Sequence, residues 1–403
     1  MNHRYLIAAA LAPTLALSQG VLTPEQALAL AHARGPLAGV AAGVRDVAAG
    51  RARADAAWPN PIAEWRRENL GSTLDPDIFA TLQVPVDVTG RRQALRQAAS
   101  IARGRGQADS AAASRALEYD VLRAYWRATL ARELATIAIT ERDARIRTAE
   151  FDAQRFREGA VAEVVAMRGA VEADRARIGA TSATNESRRA SADLARLLGM
   201  ASEQLPALAP LRPPPLDPPT AGDTAWSAVE ARRPELRAAR LALQEAERRA
   251  AAEARGRIGD VNVVGGYKGT GGFNTGLIGV LVPLPLFNRN EGPRERARGE
   301  ELLARAAHLD ATWRARGELA AAIGAWQDAR EAGRDGATTL DTRSTEVADI
   351  AEASYREGAT SLIELLEAQR ARAETRATAA RWAHDALLAR LDLQRAAGLP
   401  YLP

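Results

Sequence analysis

The chain has 403 residues, a formal charge of +4, 54 basic side chains against 50 acidic ones, and no cysteine. Arg and Glu/Asp alternate, as at Glu245, Glu247, Arg248 and Arg249, and do not gather on one aromatic-laced face, which argues against a nucleic-acid partner. Without cysteine there is no disulfide, thiolate metal site, cysteine nucleophile or lipid-bearing N-terminal cysteine.

Residues 1–18 carry the three parts of an export signal in order: basic His3 and Arg4, an apolar run over 6–17, and Ala16-Leu17-Ser18 as a small-x-small cleavage site. A buried N-terminal helix is the other reading of this run, which is too short to span a bilayer. No later stretch reaches the ~18 apolar residues of a spanning helix, so any membrane crossing requires strands.

From residue 19 to 204 the predicted order is helix, strand, strand, helix, helix. The first helix covers 23–57 and opens well on Thr23-Pro24-Glu25-Gln26, with a capping hydroxyl, a first-turn proline and Gln three residues on. Strands follow at 62–69 and 78–88, separated by a turn at 71–76, then helices at 91–149 and 161–198. In 78–88 the even positions are apolar (Ile78, Ala80, Leu82, Val84, Val86, Val88), while the odd ones include Thr81, Gln83 and Asp87. The 62–69 pattern is weaker, with Glu64, Arg66, Arg67 and Glu68 close together. A proline-rich stretch over 205–220 reads as an extended linker.

Residues 221–403 repeat the unit. Phe156-Arg157-Glu158-Gly159-Ala160 matches Tyr355-Arg356-Glu357-Gly358-Ala359, 199 residues later. Leu198-Gly199 and Ala397-Gly398 match at the same offset, as do Gly35-Pro36-Leu37 and Pro234-Glu235-Leu236. Val84-Pro85-Val86 matches Val282-Pro283-Leu284 at 198. Four landmarks in nearly one register mark an internal duplication. The second copy is expected to hold helices over 225–257, 293–349 and 361–397, with strands at 261–269 and 274–286. Helices of about 55 residues would be ~80 Å long, which makes rods or bundles.

Strands alternating over about ten residues suit a membrane barrel, and they also suit soluble hairpins packed on helices; the export signal and long helices favour the former. Four strands cannot close a barrel, and open edges in lipid are forbidden, so several protomers would have to pool their strands. Aromatic side chains, scarce elsewhere, gather near the strands (Trp58, Trp65, Phe79, Tyr267, Phe273, Phe287), as interfacial belts do.

The duplicated unit, the paired Arg-Glu-Gly-Ala turns and Val-Pro-Leu-Pro-Leu-Phe-Asn-Arg-Asn-Glu-Gly at 282–292 together resemble the TolC family of outer-membrane efflux proteins. The last motif, with Trp58-Pro59-Asn60-Pro61, is similar to its heavy-metal branch, the CzcC-like proteins. The resemblance implies a mainly helical fold with a small β part: long helical hairpins forming a periplasmic α-barrel, and four strands per protomer in a trimeric, twelve-stranded barrel. It implies a homotrimer in outer-membrane lipid, a periplasmic adaptor and an inner-membrane RND-type pump. Divalent cations are the implied cargo, with drugs or secreted polypeptides as alternatives. A periplasmic adaptor or coiled-coil scaffold is the rival from another class.

By the same resemblance, Arg157, Glu158, Gly159, Ala160, Arg356, Glu357, Gly358 and Ala359 form the tips where an adaptor docks, with Val161, Val164, Leu362 and Ile363 beside them. Glu163, Glu364 and Glu367 lie just beyond; facing a lumen, they would form carboxylate rings that favour cations, and otherwise they are exposed helix residues. Pro85, Gly90, Arg91, Pro283, Pro285, Asn288 and Arg289 mark the strand-to-helix junctions. No catalytic cluster, phosphate loop or cofactor motif emerges, and His3, His32, His308 and His384 are too scattered to suggest a metal site.

Overall fold

The computed structural model describes residues 20–68, 76–215, 217, 220–334 and 337–401. The export signal, Asn69, most of the 71–76 turn, and Pro218 and Pro219 of the linker lie outside the described residues. The chain divides into two compact units, each drawing segments from both sequence repeats.

One unit comprises Met1–Pro36, Asp120–Pro214 and Ala332–Leu387. It holds α1 (Pro24–Arg34), the C-terminal part of α3 (Arg91–Arg157), α4 (Glu163–Leu198), α9 (Ala337–Arg356) and most of α10 (Leu362–Ala397). The Thr23 and Gln26 capping box starts α1. Gly35, held extended by Pro36, ends it, since a residue before proline avoids the helical region. The helix predicted over 23–57 is therefore two, α1 and α2 (Val40–Ala56). Pro234 does the same in the second copy, splitting 225–257 into α6 (Trp226–Arg232) and α7 (Pro234–Arg255) after the short α5 (Ala221–Thr224).

Tyr125 is fully buried in this unit. Its hydroxyl donates to the Leu22 carbonyl at 2.7 Å and accepts from the Ala209 amide at 3.0 Å. Leu22 and Leu208 form an isolated parallel bridge, so the extended linker is fastened to the segment before α1.

The other unit comprises Leu37–Tyr119, Pro215–Glu331 and Leu388–Pro403. Besides α2, α5 to α7 and the start of α3, it contains β1 (Ile62–Arg67), β2 (Ile78–Val86), β3 (Val261–Thr270), β4 (Phe273–Leu281) and α8 (Glu291–Arg334). Val229, Leu319, Trp326, Leu393 and Ala397 form its apolar helical core. The helix expected over 293–349 is described as α8 and α9, with 335–336 outside the described residues.

The four strands form one antiparallel sheet in the order β1-β2-β3-β4. Gly271 and Gly272, with φ of 55° and 80°, close the β3–β4 hairpin; two consecutive positive φ values are what a two-residue primed turn demands. The strand expected over 274–286 stops at Leu281, because Pro283 and Pro285 have no N–H to give a ladder. Likewise β2 ends at Val86, short of 88. Among the described residues, no helix is long and apolar enough to cross a membrane.

Candidate functional site

The sheet has two unlike faces, and the more apolar one is exposed. The cross-strand register puts Ala63 and Trp65 of β1 beside Leu82 and Ala80 of β2. These continue to Gly265 and Tyr267 of β3, and on to Ile278 and Gly276 of β4. Val84, Val263 and Val280 form the next row of this face. The face is apolar and open: Trp65 is 69% exposed and Ile278 87%. The opposite face carries Glu64, Arg66, Thr81, Gln83, Asn262, Lys268 and Thr275, interspersed with Ile62, Phe79, Val264 and Leu277. In water the apolar face would turn inward; an exposed apolar face behind a polar one suits lipid outside and water within. The register explains part of the weak 62–69 pattern: Glu64 and Arg66 share the polar face while Ala63 and Trp65 hold the apolar one, but Arg67 stands on the apolar face opposite Ile78, and Ile62 on the polar one opposite Gln83. Strands β1 and β4 are the sheet's two edges.

The aromatic cluster divides accordingly. Trp65 and Tyr267 sit on the apolar face. Phe79 lies on the polar face beneath Arg66 and Lys268, whose charges stand 4.8 and 5.2 Å from its ring centre. Trp58 packs under Arg92 and Arg96.

At the first junction, Asp87 gathers the backbone. Its carboxylate accepts from the amides of Thr89 (3.0 Å), Gly90 (3.0 Å) and Arg92 (2.7 Å), and from the Thr89 hydroxyl (2.9 Å). Burial alone would raise its pKa; these donors outweigh burial and hold it below the usual value. Arg91 pairs with Glu253 at 2.9 Å, and Arg92 with Asp260. Glu253 also accepts from Asn290 at 3.0 Å, so one carboxylate of α7 ties the starts of α3 and α8. Asn288 makes an Asx turn ahead of α8, its one bond among the described residues being from the Asn290 amide at 2.9 Å. Pro85 is buried within β2, whereas Pro283, Asn288 and Arg289 are exposed and Pro285 half-buried.

The two predicted tips lie in the same unit and share one bond pattern. After α3, the amides of Gly159 and Ala160 donate to Phe156 and Arg155 carbonyls at 3.0 and 2.8 Å. After α9, Gly358 and Ala359 donate to Tyr355 and Ser354 at 3.1 and 2.8 Å. These are paired Schellman closures, and both glycines have left-handed φ, 72° and 77°. Arg157, Glu158, Ala160, Arg356, Glu357 and Ala359 all face solvent. Of the flanking apolar residues, Val164 and Ile363 are exposed, but Leu362 turns inward and joins Tyr355 and Leu365 in a small core with Phe151, Val165 and Leu366.

Beneath the tips lies a contact the sequence reading did not single out. Tyr355 donates to Asp152 Oδ1 at 2.5 Å, joining α9 to α3. Asp152 is fully buried, and its Oδ2 has no hydrogen-bond partner among the described residues. Burial raises the Asp152 pKa, opposed by the Tyr355 hydrogen bond and the charge of Arg155. Tyr355 is raised by burial and by its bond to Asp152. The available signal was the one position where the tip motifs differ: exposed Phe156 in the first copy stands where the buried, hydroxyl-bearing Tyr355 stands in the second. Nearby, buried Arg145 donates to the Leu366 carbonyl at 2.9 Å and ties α3 to α10.

The structure places Glu163 and Glu364 in the first turns of the return helices α4 and α10, where carboxylates suit the helix dipole. Glu364 completes a capping box: it accepts from the Ser361 amide at 2.9 Å, and its own amide donates to the Ser361 hydroxyl at 3.3 Å. The Thr360 hydroxyl, then Ser361, keeps its pKa below the usual value. Glu367 is exposed one turn on. Among the described residues, no group of three or more His, Asp or Glu could hold a metal ion.

Residues 225–399 match the family described as outer membrane efflux protein. The cobalt-zinc-cadmium resistance protein CzcC of Cupriavidus metallidurans is 28% identical over 287 residues, 68% of this chain. The match spans 65% of that relative's own length. The outer membrane protein VceC of Vibrio cholerae superposes with a TM-score of 0.78 at 18% identity, covering 94% of this chain and 96% of VceC. CusC, a protein described in terms of transmembrane channel formation, gives 0.78 at 16%, covering 94% and 92%. At these identities the structural likenesses establish the fold.

Proposed function

We infer that this chain, which belongs to the TolC family of outer-membrane efflux proteins, is the exit duct of a tripartite efflux pump and that its cargo is divalent heavy-metal cations. The reversed polarity of the sheet carries the duct reading: an exposed apolar face backed by a more polar one suits a wall with lipid outside and water inside. The two open edges, β1 and β4, have no solvent to satisfy them at membrane depth, which calls for copies of the chain to pair edge to edge. A homotrimer would supply twelve strands, enough to close a water-filled barrel.

In this reading the exposed Arg-Glu-Gly-Ala tips, with Val164 and Ile363, receive a periplasmic adaptor that links the duct to an inner-membrane RND-type pump. Glu163, Glu364 and Glu367, repeated by symmetry, give the entrance a negative field that favours cations. No tight metal site is needed, because a deep well would slow release. The similarity to CzcC supports the cargo assignment.

Growth of a deletion strain across cobalt, zinc, cadmium, nickel, copper and a panel of hydrophobic drugs tests the cargo. Sensitivity confined to divalent cations and restored by the gene is expected. Sensitivity to drugs with normal metal tolerance would overturn the cargo and leave the duct standing.

A further inference from the structure

The longer junction has a chemistry of its own. Between the end of β4 and the start of α8, residues 282–290 leave Val282, Leu284, Leu286 and Phe287 exposed, the last of them completely (101%). Among the described residues, nothing in this unit covers them. Beside them runs the 256–260 loop that links α7 to β3. A Cβ placed on Gly259 would lie 3.1 Å from Pro283 Cγ, and one on Gly256 would lie 3.0 Å from Asn290 Nδ2. The two loops therefore lie side by side, touching at both ends. Between those contacts the shorter loop presents Arg257 and the exposed Ile258.

Within the two loops the unpaired charge is basic: Arg257 and Arg289 are exposed and make no ion pair among the described residues, while Asp260 is paired with Arg92. The nearest unpaired acid is exposed Glu291, which opens α8 two residues beyond Arg289. The surface also continues directly from the sheet, since Val282 follows the last residue of β4. Exposed aliphatic and aromatic side chains next to unpaired arginines, at the margin of a lipid-facing strand, have the composition of a membrane interface. Guanidinium groups bind phosphate bidentately, and apolar side chains enter the acyl boundary beneath.

We propose that Arg257 and Arg289, with Leu284, Leu286 and Phe287, form a binding collar for anionic phospholipid headgroups at the membrane surface where the barrel meets the helices. The collar fixes the depth of the sheet in the bilayer: the apolar residues anchor, and the arginines stop at the phosphates. It rests on the reading that the sheet crosses the outer membrane.

The test uses the full-length protein purified in mild detergent and incubated with phosphatidylglycerol or phosphatidylcholine, with bound lipid counted by native mass spectrometry. Wild type is expected to retain phosphatidylglycerol preferentially, and Arg257→Gln with Arg289→Gln to lose that retention by about fivefold. Arg188→Gln, an exposed arginine on α4, should change nothing. Because the chain lacks cysteine, Phe287→Cys can carry a single polarity-sensitive dye. Its emission should shift to the blue on transfer from detergent to phosphatidylglycerol vesicles, and less so in phosphatidylcholine vesicles. Equal retention by the double variant would overturn the collar. So would a blue shift that tracks self-association in detergent without lipid, which would put a second copy of the chain on the loop. If the unsubstituted protein failed to fractionate with the outer membrane, the barrel reading itself would fall, and the collar with it.

Discussion

The two copies of the repeat close their tips alike and start their long helices differently. At Gly159 and Gly358 the same amides bond to the same relative carbonyls with nearly the same φ. At the junctions, four residues (87–90) join β2 to α3 under an Asp87 carboxylate that accepts four donors. Nine residues (282–290) join β4 to α8, with Asn288 accepting a single amide and Phe287 left bare. A solution fixed by backbone geometry has survived duplication, whereas one made by side chains has been free to diverge. The first junction now caps a helix, and the second offers a surface.

The largest effect should come from the sheet. Leu82→Arg, on the apolar face, should cost ~2–4 kcal/mol if that face meets lipid, while Gln83→Arg on the polar face should be nearly silent. Yield of folded protein in the outer-membrane fraction measures both. Equal yields would erase the distinction between the faces.

Beneath the tips, Tyr355→Phe leaves Asp152 buried without a donor and should destabilise the α3–α9 contact by ~1–3 kcal/mol. The matching change in the first copy, Phe156→Leu, removes no hydrogen bond and should cost less. Hydrogen exchange at the two tips compares them.

The two aspartates should respond to pH in opposite senses. The Asp152 pKa is raised by folding, so its contribution is complete below the unfolded carboxylate value and is lost as pH rises through the folded one. The Asp87 pKa is lowered, so its contribution is present above the unfolded value and is lost as pH falls through the folded one. Exchange protection should therefore weaken with rising pH beneath the tips and with falling pH at the start of α3. Asp152→Asn should abolish the first trend alone. At neutral pH, Asp87→Ala should cost ~1–2 kcal/mol, and Asn288→Ala a few tenths.

Between these two lies the tip pair itself. Gly159→Ala and Gly358→Ala each force a left-handed φ on a residue with a Cβ, at ~1 kcal/mol, and the Cβ meets nothing else. Equal losses are expected by thermal unfolding; unequal ones would mean the turns differ in more than sequence.

The helices, their turn at Arg-Glu-Gly-Ala and the strand pairs were legible because they rest on local signals: periodicity, caps, glycine at positive φ, and proline. Where proline acts as a breaker inside an otherwise periodic run, as at Pro36, Pro234, Pro283 and Pro285, it decided boundaries that the pattern alone overran. The Asp152–Tyr355 bond joins residues 203 apart and leaves no periodic trace. Glu364 reads in the sequence as one of three carboxylates beyond the tips, and its bond with Ser361, three residues earlier, adds a capping role. The 256–260 loop was silent because its partner, 282–290, is adjacent only in space.

Alternating accessibility along the strands tests the central claim most directly. The chain has no cysteine, so Leu82→Cys, Gln83→Cys, Ile278→Cys and Gly279→Cys can each be probed in outer-membrane vesicles without a background thiol. A charged maleimide should label positions 83 and 279 through the aqueous lumen, and only an apolar maleimide should reach 82 and 278. Uniform labelling of all four by the charged reagent would contradict a lipid-facing sheet and return these strands to water.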